Sequence, residues 1–296
     1  FIRSRTRGLR NLYNTAHRRA YADYADGRQI VPSYVEYEPL SYVVEQEIFP
    51  LDSVIVNGQS GDFLFGGHVP ATWAKMCSAE IVCDFIVAKH CNHWLTSDLD
   101  PTREKIKSAL HERLDGFLNS DPSKADPSQL MAFYEGWEAQ ERQPKAAISN
   151  QRLYDFLGFA WTLPFWDSEL MSFWSQVPYE LKFNQDLHIE FLRNYNSRGV
   201  FDYGRSPQFA FTGHRALTVP AAQIIEVLGG KTLKARFYEK MFFYTYFQPQ
   251  LGLFGRDIYK QTYKDTRRPR VVALGARYRL DELSILGISQ DLLPYL

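Results

Sequence analysis

Residues 53–67 read Ser53-Val54-Ile55-Val56-Asn57-Gly58-Gln59-Ser60-Gly61-Asp62-Phe63-Leu64-Phe65-Gly66-Gly67. The β-branched run at residues 53–56 predicts a short buried strand of a parallel sheet, and Asn57-Gly58 predicts a turn directly after it. A helix is expected to begin shortly after this turn. Because ligands of open α/β sheets bind at the carboxyl ends of the strands, the turn is the first candidate for a binding site.

The residue types of this turn favour a phosphate ligand. Glycines at positions 58 and 61 let the backbone approach a phosphate, and amide groups of the turn and of the following helix point at the anion. Asp62 supplies a carboxylate, which is a ligand type that Mg²⁺ prefers. A strand followed by a glycine-rich turn also occurs for purely structural reasons, so that interpretation stays open.

Beyond Pro70 the sequence has a mostly helical pattern. Proline follows Asp100 and Asp126, which predicts two capped helices that end at about residues 119 and 142. Asp167 directly precedes an apolar periodic run and is predicted to cap a helix rather than to catalyse a reaction. Other helices are predicted at residues 71–89, 168–176, 187–195, 220–228 and 280–286. The sequence therefore predicts an α/β fold with a predominantly helical remainder.

Composition excludes several classes of protein. Of the 296 residues, 45% are hydrophobic and 23% are charged, which is enough for a sizeable core and argues against disorder. The 34 basic residues balance the 34 acidic ones, so charge favours neither nucleic acid nor acidic lipid as a general partner. No apolar stretch reaches the roughly 20 residues of a membrane helix. The three cysteines are typical of a reducing compartment, and we expect a cytoplasmic protein.

The glycine-rich turn resembles a known family, the synthetase domain of the glutamine-hydrolysing asparagine synthetases. That family has the nucleotide-site motif Ser-Gly-(Asp/Glu)-Gly-x-Asp-Glu-Leu-Phe-Gly-Gly, and residues 57–67 fit it without a gap. The identical positions are Gly58, Asp62, Leu64, Phe65, Gly66 and Gly67. A second motif, Pro-Phe-Leu-Asp followed by a helix and Pro-x-x-Leu-Lys, is matched by Pro164, Phe165, Asp167, Leu170, Phe173, Pro178, Leu181 and Lys182. Leu192-Arg193 resembles the Leu-Arg that closes the next helix, so the resemblance covers residues 50–200.

The resemblance implies a Rossmann-like, adenine nucleotide alpha hydrolase-like domain over residues 1–200, incomplete at its N-terminal side, with a helical extension over residues 201–296. It implies an ATP-dependent amide-forming synthetase that activates a carboxylate as an acyl-adenylate and transfers it to glutamine-derived ammonia, releasing AMP and pyrophosphate. The acceptor would be aspartate or, by similarity to a subgroup associated with surface polysaccharides, a sugar carboxylate. Ammonia would come from a glutaminase domain or a partner, and a homo-oligomer stays open.

The residues that would carry this chemistry follow from the first motif. The resemblance implies nucleotide binding by Asn57, Gly58, Gln59, Ser60, Gly61 and Asp62, with Asp62 also holding Mg²⁺. Gln59 stands where the family has the Asp or Glu proposed as a general base. A carboxamide cannot take up a proton at neutral pH, so the base lies elsewhere or that step is done differently.

Further departures leave an alternative open. Asn57 replaces the family's Ser, Phe63 replaces an acid, Thr162 replaces an Arg, and only Arg205 lies near the distance expected for a late catalytic Lys. The pyrophosphate loop Ser-Gly-Gly-x-Asp-Ser does not occur in the chain, which begins with Phe1. We expect the chain to be the C-terminal part of a longer synthetase. The alternative is a non-catalytic relative that binds nucleotide or a partner and has lost turnover.

Other groups of residues allow different hypotheses. Residues 3–19 carry six arginines and no acid, which predicts a helix whose basic face contacts RNA or phosphate, or is simply solvated. The aromatic segment at residues 237–247 favours a packed core over a base-stacking platform. A crowded group lacks the Cys-x-x-Cys pairs of zinc sites and is predicted to pack a helix: Cys77, Cys83, His90, Cys91 and His93. A hydrolase triad of His214 with Asp202 or Ser206 lacks a Gly-x-Ser-x-Gly motif.

Overall fold

The computed structural model describes residues 16–25, 36–50, 52–91, 99–196, 198–199 and 209–242, and most of these are helical. Its α-helices and strands, in chain order, are α1 Ala16–Tyr24, α2 Tyr37–Glu45, β1 Val54–Val56, α3 Gly61–Leu64, α4 Ala79–Ile86, α5 Leu99–Leu118, α6 Pro127–Trp137, α7 Arg152–Phe156, β2 Ala160–Thr162, α8 Ser168–Gln176, α9 Tyr179–Lys182, α10 Asp186–Asn194 and α11 Phe209–Phe242. Short 3-10 or π-helical segments lie at Ala71–Ala74, Val87–Cys91, Pro122–Lys124, Glu138–Ile148, Ser149–Gln151, Pro164–Trp166 and Phe183–Gln185.

Two helix starts have the caps that the sequence predicts. The Oδ1 atom of Asp126 accepts a hydrogen bond from the Gln129 amide at 3.0 Å, and the Gln129 side chain accepts one from the Asp126 amide at 3.1 Å. This reciprocal capping box begins α6. Asp167 caps α8 by accepting from the amides of residues 169 and 170 at 3.0 and 2.9 Å. The predicted structural role of Asp167 is therefore confirmed.

Other helix boundaries differ from the prediction. The single helix predicted over residues 71–89 is interrupted, because Ser78 caps a new helix, α4, by accepting from the Ile81 amide at 3.3 Å. The helix predicted to end near residue 142 is α-helical only to Trp137 and continues as a π-helical segment that contains Pro144. The predicted helix at residues 220–228 lies within α11, where Gly230 has φ +75° and interrupts the helical backbone.

The two strands pair in parallel, as the sequence predicts for residues 53–56. Val54 pairs with Ala160, Ile55 with Trp161 and Val56 with Thr162. The predicted burial of the strand is wrong, because Val54 and Val56 are 57% and 67% exposed. Among the described residues only these two strands form a sheet, and Val54 and Val56 share its exposed face. The Rossmann-like sheet stays a prediction.

Three groups of buried side chains hold the described helices together. The largest lies between α4, α5 and α6 and includes Trp73, Val82, Ile86, Leu114, Leu130 and Tyr134. A second joins α1, α2 and α7, and Ile55 of β1 packs against it. A third contains Leu64, Phe65 and Trp174. The chain leaves the second group at Ile55 and enters the third at Leu64, so the glycine-rich turn lies between them.

Several predictions fall on residues outside this description. They are the basic segment up to residue 15, the helix at residues 280–286, the aromatic segment beyond residue 242, and the side chains of His93, Asp202, Arg205, Ser206 and His214. The division between residues 200 and 201 also stays a prediction. Within the described ranges, no helix combines the length and the apolar character needed to cross a membrane.

Candidate functional site

The side chain of Asn57 holds the turn against α7. Its Oδ1 atom accepts a hydrogen bond from the Gln59 amide at 2.8 Å, while its Nδ2 atom donates to Gln151 at 2.9 Å and to the Tyr154 hydroxyl at 2.5 Å. Tyr154 in turn donates to Glu36 at 2.7 Å. The described bonds of Asn57 shape the turn and use both of its side-chain donors within the protein, and nucleotide binding by Asn57 stays a prediction.

Ser60 is also turned toward the protein interior. It is 3% exposed, and its hydroxyl donates to Oε1 of the buried Gln143 at 2.8 Å. Its backbone has φ +71°, in the left-handed region that costs a residue with a Cβ about 1 to 2 kcal/mol. The hydrogen bond to Gln143 opposes that cost. The Ser60 hydroxyl is therefore bound within the protein and does not face the surface of the turn.

The ring of Phe165 lies against the two glycines of the turn. A Cβ atom built on Gly61 would lie 2.8 Å from the Phe165 ring, and one built on Gly58 would lie 3.5 Å from it. Phe65 packs edge-on against Phe165 and Trp174, with ring centroids 5.0 and 4.9 Å apart. These contacts join residues 57–67 to residues 164–182 in one structural unit.

The glycine pair that ends the first segment lies close to α9. Gly66 has φ +88°, and a Cβ there would lie 2.6 Å from the backbone oxygen of Lys182. Lys182 is 2% exposed, and its ammonium group donates to Glu135 at 2.8 Å and to the Trp174 carbonyl at 3.2 Å. A glycine is required at position 66 by both its backbone conformation and its surroundings.

Asp62 is the carboxylate of the turn, and it lies on α3 with its side chain 66% exposed. Its Oδ1 atom accepts from the Phe63 amide at 2.9 Å, and its Oδ2 atom accepts from Nε2 of His68 at 3.0 Å. The hydrogen bond from His68 is the largest cause that lowers the pKa of Asp62, and the Arg142 charge acts in the same direction. Asp62 is therefore ionised at neutral pH.

His68 bridges two carboxylates. Its Nε2 atom donates to Asp62, and its Nδ1 atom donates to Glu138. Burial acts to lower the pKa of His68, but the hydrogen bonds to Asp62 and Glu138 outweigh it and raise the pKa to about 9. The imidazole consequently carries a proton on both nitrogens at neutral pH.

Glu138 is the buried end of this chain of hydrogen bonds. It is 0% exposed and also accepts from Lys89 at 2.9 Å, His90 at 3.1 Å and Tyr134 at 2.6 Å. Burial opposes its ionisation, yet the hydrogen bonds from His68 and His90 hold the pKa of Glu138 well below its usual range. Glu138 opens the π-helical segment after α6, a backbone irregularity that is frequent at functional sites.

Gln59 is exposed on the surface of the turn. Its backbone amide donates a hydrogen bond to the Asn57 side chain. Its carboxamide is free to donate and to accept hydrogen bonds but has no basic atom at neutral pH. Within the described residues, no three His, Cys, Asp or Glu side chains come together in a way that would hold a metal ion.

A cavity of about 240 Å³ lies behind the turn. Phe63, Leu64 and Trp174 form part of its apolar wall, and Glu135 and Lys182 supply charged groups. Glu135 also accepts from the Tyr179 hydroxyl at 3.0 Å, and burial raises the pKa of that tyrosine. The cavity thus lies between the two segments that resemble the synthetase motifs.

Sequence reasoning missed His68 and Glu138 and considered His90 only among the cysteines. A signal was present for Glu138, which lies four residues after Tyr134 on the buried side of an apolar helix, where an unpaired acid is rare.

Cys83 is buried in the largest core, and burial raises the pKa of Cys77 and Cys83 to about 11. These thiols are predominantly protonated at neutral pH.

Comparison with known proteins adds no relative of this chain. No protein-family model matches it, and neither the curated proteins nor the solved structures include a match.

Proposed function

We propose that this chain is an ATP-dependent amide-forming synthetase of the asparagine synthetase type. It would join a carboxylate of aspartate or of a sugar acid to ammonia. One observation supports the proposal most strongly. The two segments that resemble the family's motifs are about 100 residues apart in the chain, and they pack against each other beside the carboxyl end of β1.

The contacts between the segments are specific. Phe165 of the second segment packs against Gly58 and Gly61 of the first, and Gly66 lies against the backbone of Lys182. Gly58, Gly66, Phe165 and Lys182 are matched positions of the two motifs, and Gly61 stands at the variable position of the first. A chance resemblance of two short segments would not be expected to produce close packing between the matched positions.

Two exposed residues of the turn support the proposal of a site for the phosphates of a nucleotide. Gly58 and Gln59 are exposed, and glycine lets a phosphate approach the backbone closely. Arg142 adds positive charge on the side of Asp62, since its charge lowers the pKa of that carboxyl. Positive groups near an exposed turn favour a polyanionic ligand over a neutral one.

Asp62 fits the role of a magnesium ligand. Each of its oxygens accepts one described hydrogen bond and retains lone pairs, and most of the side chain is exposed. Mg²⁺ in phosphate sites is commonly held by one or two carboxylates, with phosphates and water completing its shell. Bound there with ATP, Mg²⁺ would neutralise the charge of the departing pyrophosphate.

The reaction balances without a redox partner. A carboxylate oxygen of the acceptor attacks the α-phosphorus of ATP, and the bond to pyrophosphate breaks. Ammonia then attacks the carbonyl carbon, the bond to AMP breaks, and the amide is left after loss of a proton. Gln59 would orient the reacting groups by hydrogen bonds, since its carboxamide cannot accept that proton. Positioning and electrostatic stabilisation carry most of such chemistry.

The proposal is tested by measuring AMP formation from Mg-ATP with ammonia and either aspartate or glucuronate. We expect Asp62→Asn to reduce the rate by about 100-fold or more, because it removes the metal ligand. Asp52→Asn is the matched control. Asp52 is also exposed, but it lies before the N-terminal end of β1, away from the turn, so the rate of this variant should be unchanged.

Two outcomes would contradict the synthetase function. Equal rates for the wild type and Asp62→Asn would remove Asp62 from the metal site. Binding of Mg-ATP without any AMP formation would favour the non-catalytic alternative, in which the chain binds nucleotide but has lost turnover.

A further inference from the structure

We propose that His68 is a positioning residue of this site: anchored on the buried Glu138, it holds the Asp62 carboxylate in the orientation that receives the metal ion of the nucleotide. This inference rests on the proposed function, because that function makes Asp62 the metal ligand. It adds two residues to the site, neither of which belongs to the matched motif positions.

The orientation of Asp62 needs an external support. Its side chain is 66% exposed on a helix of four residues, Gly61–Leu64, and an exposed aspartate there would otherwise exchange between rotamers. The Phe63 amide holds Oδ1 at 2.9 Å, and His68 holds Oδ2 at 3.0 Å. With both oxygens held from the protein side, their remaining lone pairs have fixed directions.

His68 is itself held in place. Its side chain is 17% exposed, and the Phe63 ring contacts the imidazole edge-on with centroids 6.0 Å apart. The Nδ1 atom donates to Glu138, which fixes the direction in which Nε2 points. The imidazole of His68 therefore connects the buried Glu138 carboxylate to the exposed Asp62 carboxylate and fixes the distance between them.

Glu138 is a rigid anchor for this arrangement. It has no exposed surface, and Lys89, His90 and Tyr134 donate to it from two other elements of the largest core. Two of these donors lie in the π-helical segment Val87–Cys91, and the third lies on α6. A carboxylate with four described donors has little freedom to move.

The positive charge of His68 is compatible with its role of holding the Asp62 carboxylate for a metal ion. A protonated His68 would by itself repel a metal ion bound to Asp62. The Glu138 carboxylate lies on the other side of the ring and offsets part of that charge, since it also pairs with Lys89. Hydrogen-bonding partners of this kind typically change metal affinity by about 10- to 100-fold when they are removed.

Asparagine and glutamine make a matched pair of substitutions at position 68. The amide nitrogen of asparagine replaces Nδ1 of histidine, so His68→Asn keeps the donor to Glu138 and loses the contact with Asp62. The amide nitrogen of glutamine reaches the position of Nε2, so His68→Gln keeps a donor to Asp62. Both side chains are uncharged, and the comparison isolates the hydrogen bond from the charge.

The experiment measures Mn²⁺ binding to the full chain by electron paramagnetic resonance, with and without α,β-methylene ATP. We expect the dissociation constant for Mn²⁺ in the presence of the analogue to rise about 10- to 100-fold in His68→Asn and by less than half of that factor in His68→Gln. Asp62→Asn should bind as weakly as His68→Asn or more weakly. If His68→Asn does not fold, His68→Met replaces it as the variant without a donor.

The results separate this inference from the proposed function. Equal Mn²⁺ affinity in the wild type, His68→Asn and His68→Gln would overturn the positioning role, even if the wild type forms AMP. The expected order of affinities without AMP formation would support the positioning role and contradict the synthetase function. A wild type that binds no Mn²⁺ in either condition would overturn both.

Discussion

Phe165 lies against Gly61 so closely that a single added carbon on Gly61 would come within 2.8 Å of its ring. Phe165 is itself partly buried and packed edge-on against Phe65, which limits movement of the ring in that direction. The contact joins the turn that follows β1 to the segment that follows β2. Because the two strands are parallel, the segments that follow them lie at the same end of the sheet, and they contact each other here.

Gly61→Ala tests this contact. The new methyl group collides with a rigid, packed ring, and we expect the free energy of unfolding to fall by about 1 to 3 kcal/mol. Urea denaturation measures the change. Gly116→Ala is the control, because a Cβ on Gly116 meets nothing within 4 Å and the residue lies inside α5, where alanine should stabilise by up to about 1 kcal/mol. Equal effects of the two substitutions would contradict the packing.

Substitutions of Ser60 are expected to lower stability in a specific order, with Ser60→Gly less destabilising than Ser60→Ala. Ser60→Ala leaves Oε1 of the buried Gln143 without its donor and should cost about 1 to 3 kcal/mol. Ser60→Gly loses the same bond but relieves the left-handed backbone at φ +71°, so its cost should be smaller. Thermal denaturation of the three proteins checks the order, and a glycine variant less stable than the alanine variant would speak against it.

The buried Glu138 is expected to be the most sensitive carboxylate of the site. Glu138→Gln removes the charge that compensates Lys89 and His68, and should lower stability by about 3 to 5 kcal/mol. Glu141→Gln, three residues away, removes a carboxylate that is paired near the surface with Arg113 and Lys145, and should cost less than about 1 kcal/mol. Chemical denaturation that finds similar losses for both would refute the anchoring role of Glu138.

Stability should also fall with pH above neutrality. The pKa of His68 is about 9 in the folded protein and about 6.5 when unfolded, so the folded protein binds more protons between these values. The stabilisation is complete below pH 6.5 and is lost as the pH rises toward 9, with a slope of at most about 1.4 kcal/mol per pH unit. His68→Gln should remove this slope, and a wild-type protein without it would contradict the bridged histidine.

Local cap signals predicted two of three helix starts, whereas Asp100 lies inside α5, which begins at Leu99. The caps at Asp126 and Asp167 predict the starts of α6 and α8 because a side-chain acceptor satisfies amides that the helix leaves free. The strand at residues 53–56 follows in the same way from a β-branched run ended by a glycine turn. Such features depend on residues that are neighbours in the chain, and they can therefore be predicted from the sequence.

The parts that sequence reasoning missed depend on residues far apart in the chain. Glu138 is 70 residues from His68, and no local pattern shows that they form an ion pair. The exposure of Val54 and Val56 likewise depends on which layers cover the sheet.

The central claim is that a carboxylate is activated on the phosphorus of ATP, and isotope transfer tests it most directly. The full chain is incubated with Mg-ATP, ammonia and aspartate or glucuronate whose carboxylate carries ¹⁸O, and the AMP is analysed by mass spectrometry. We predict that each AMP formed contains one ¹⁸O atom from the carboxylate, and that Asp62→Asn suppresses its formation. AMP without the label, or no AMP from either acid, would contradict the account.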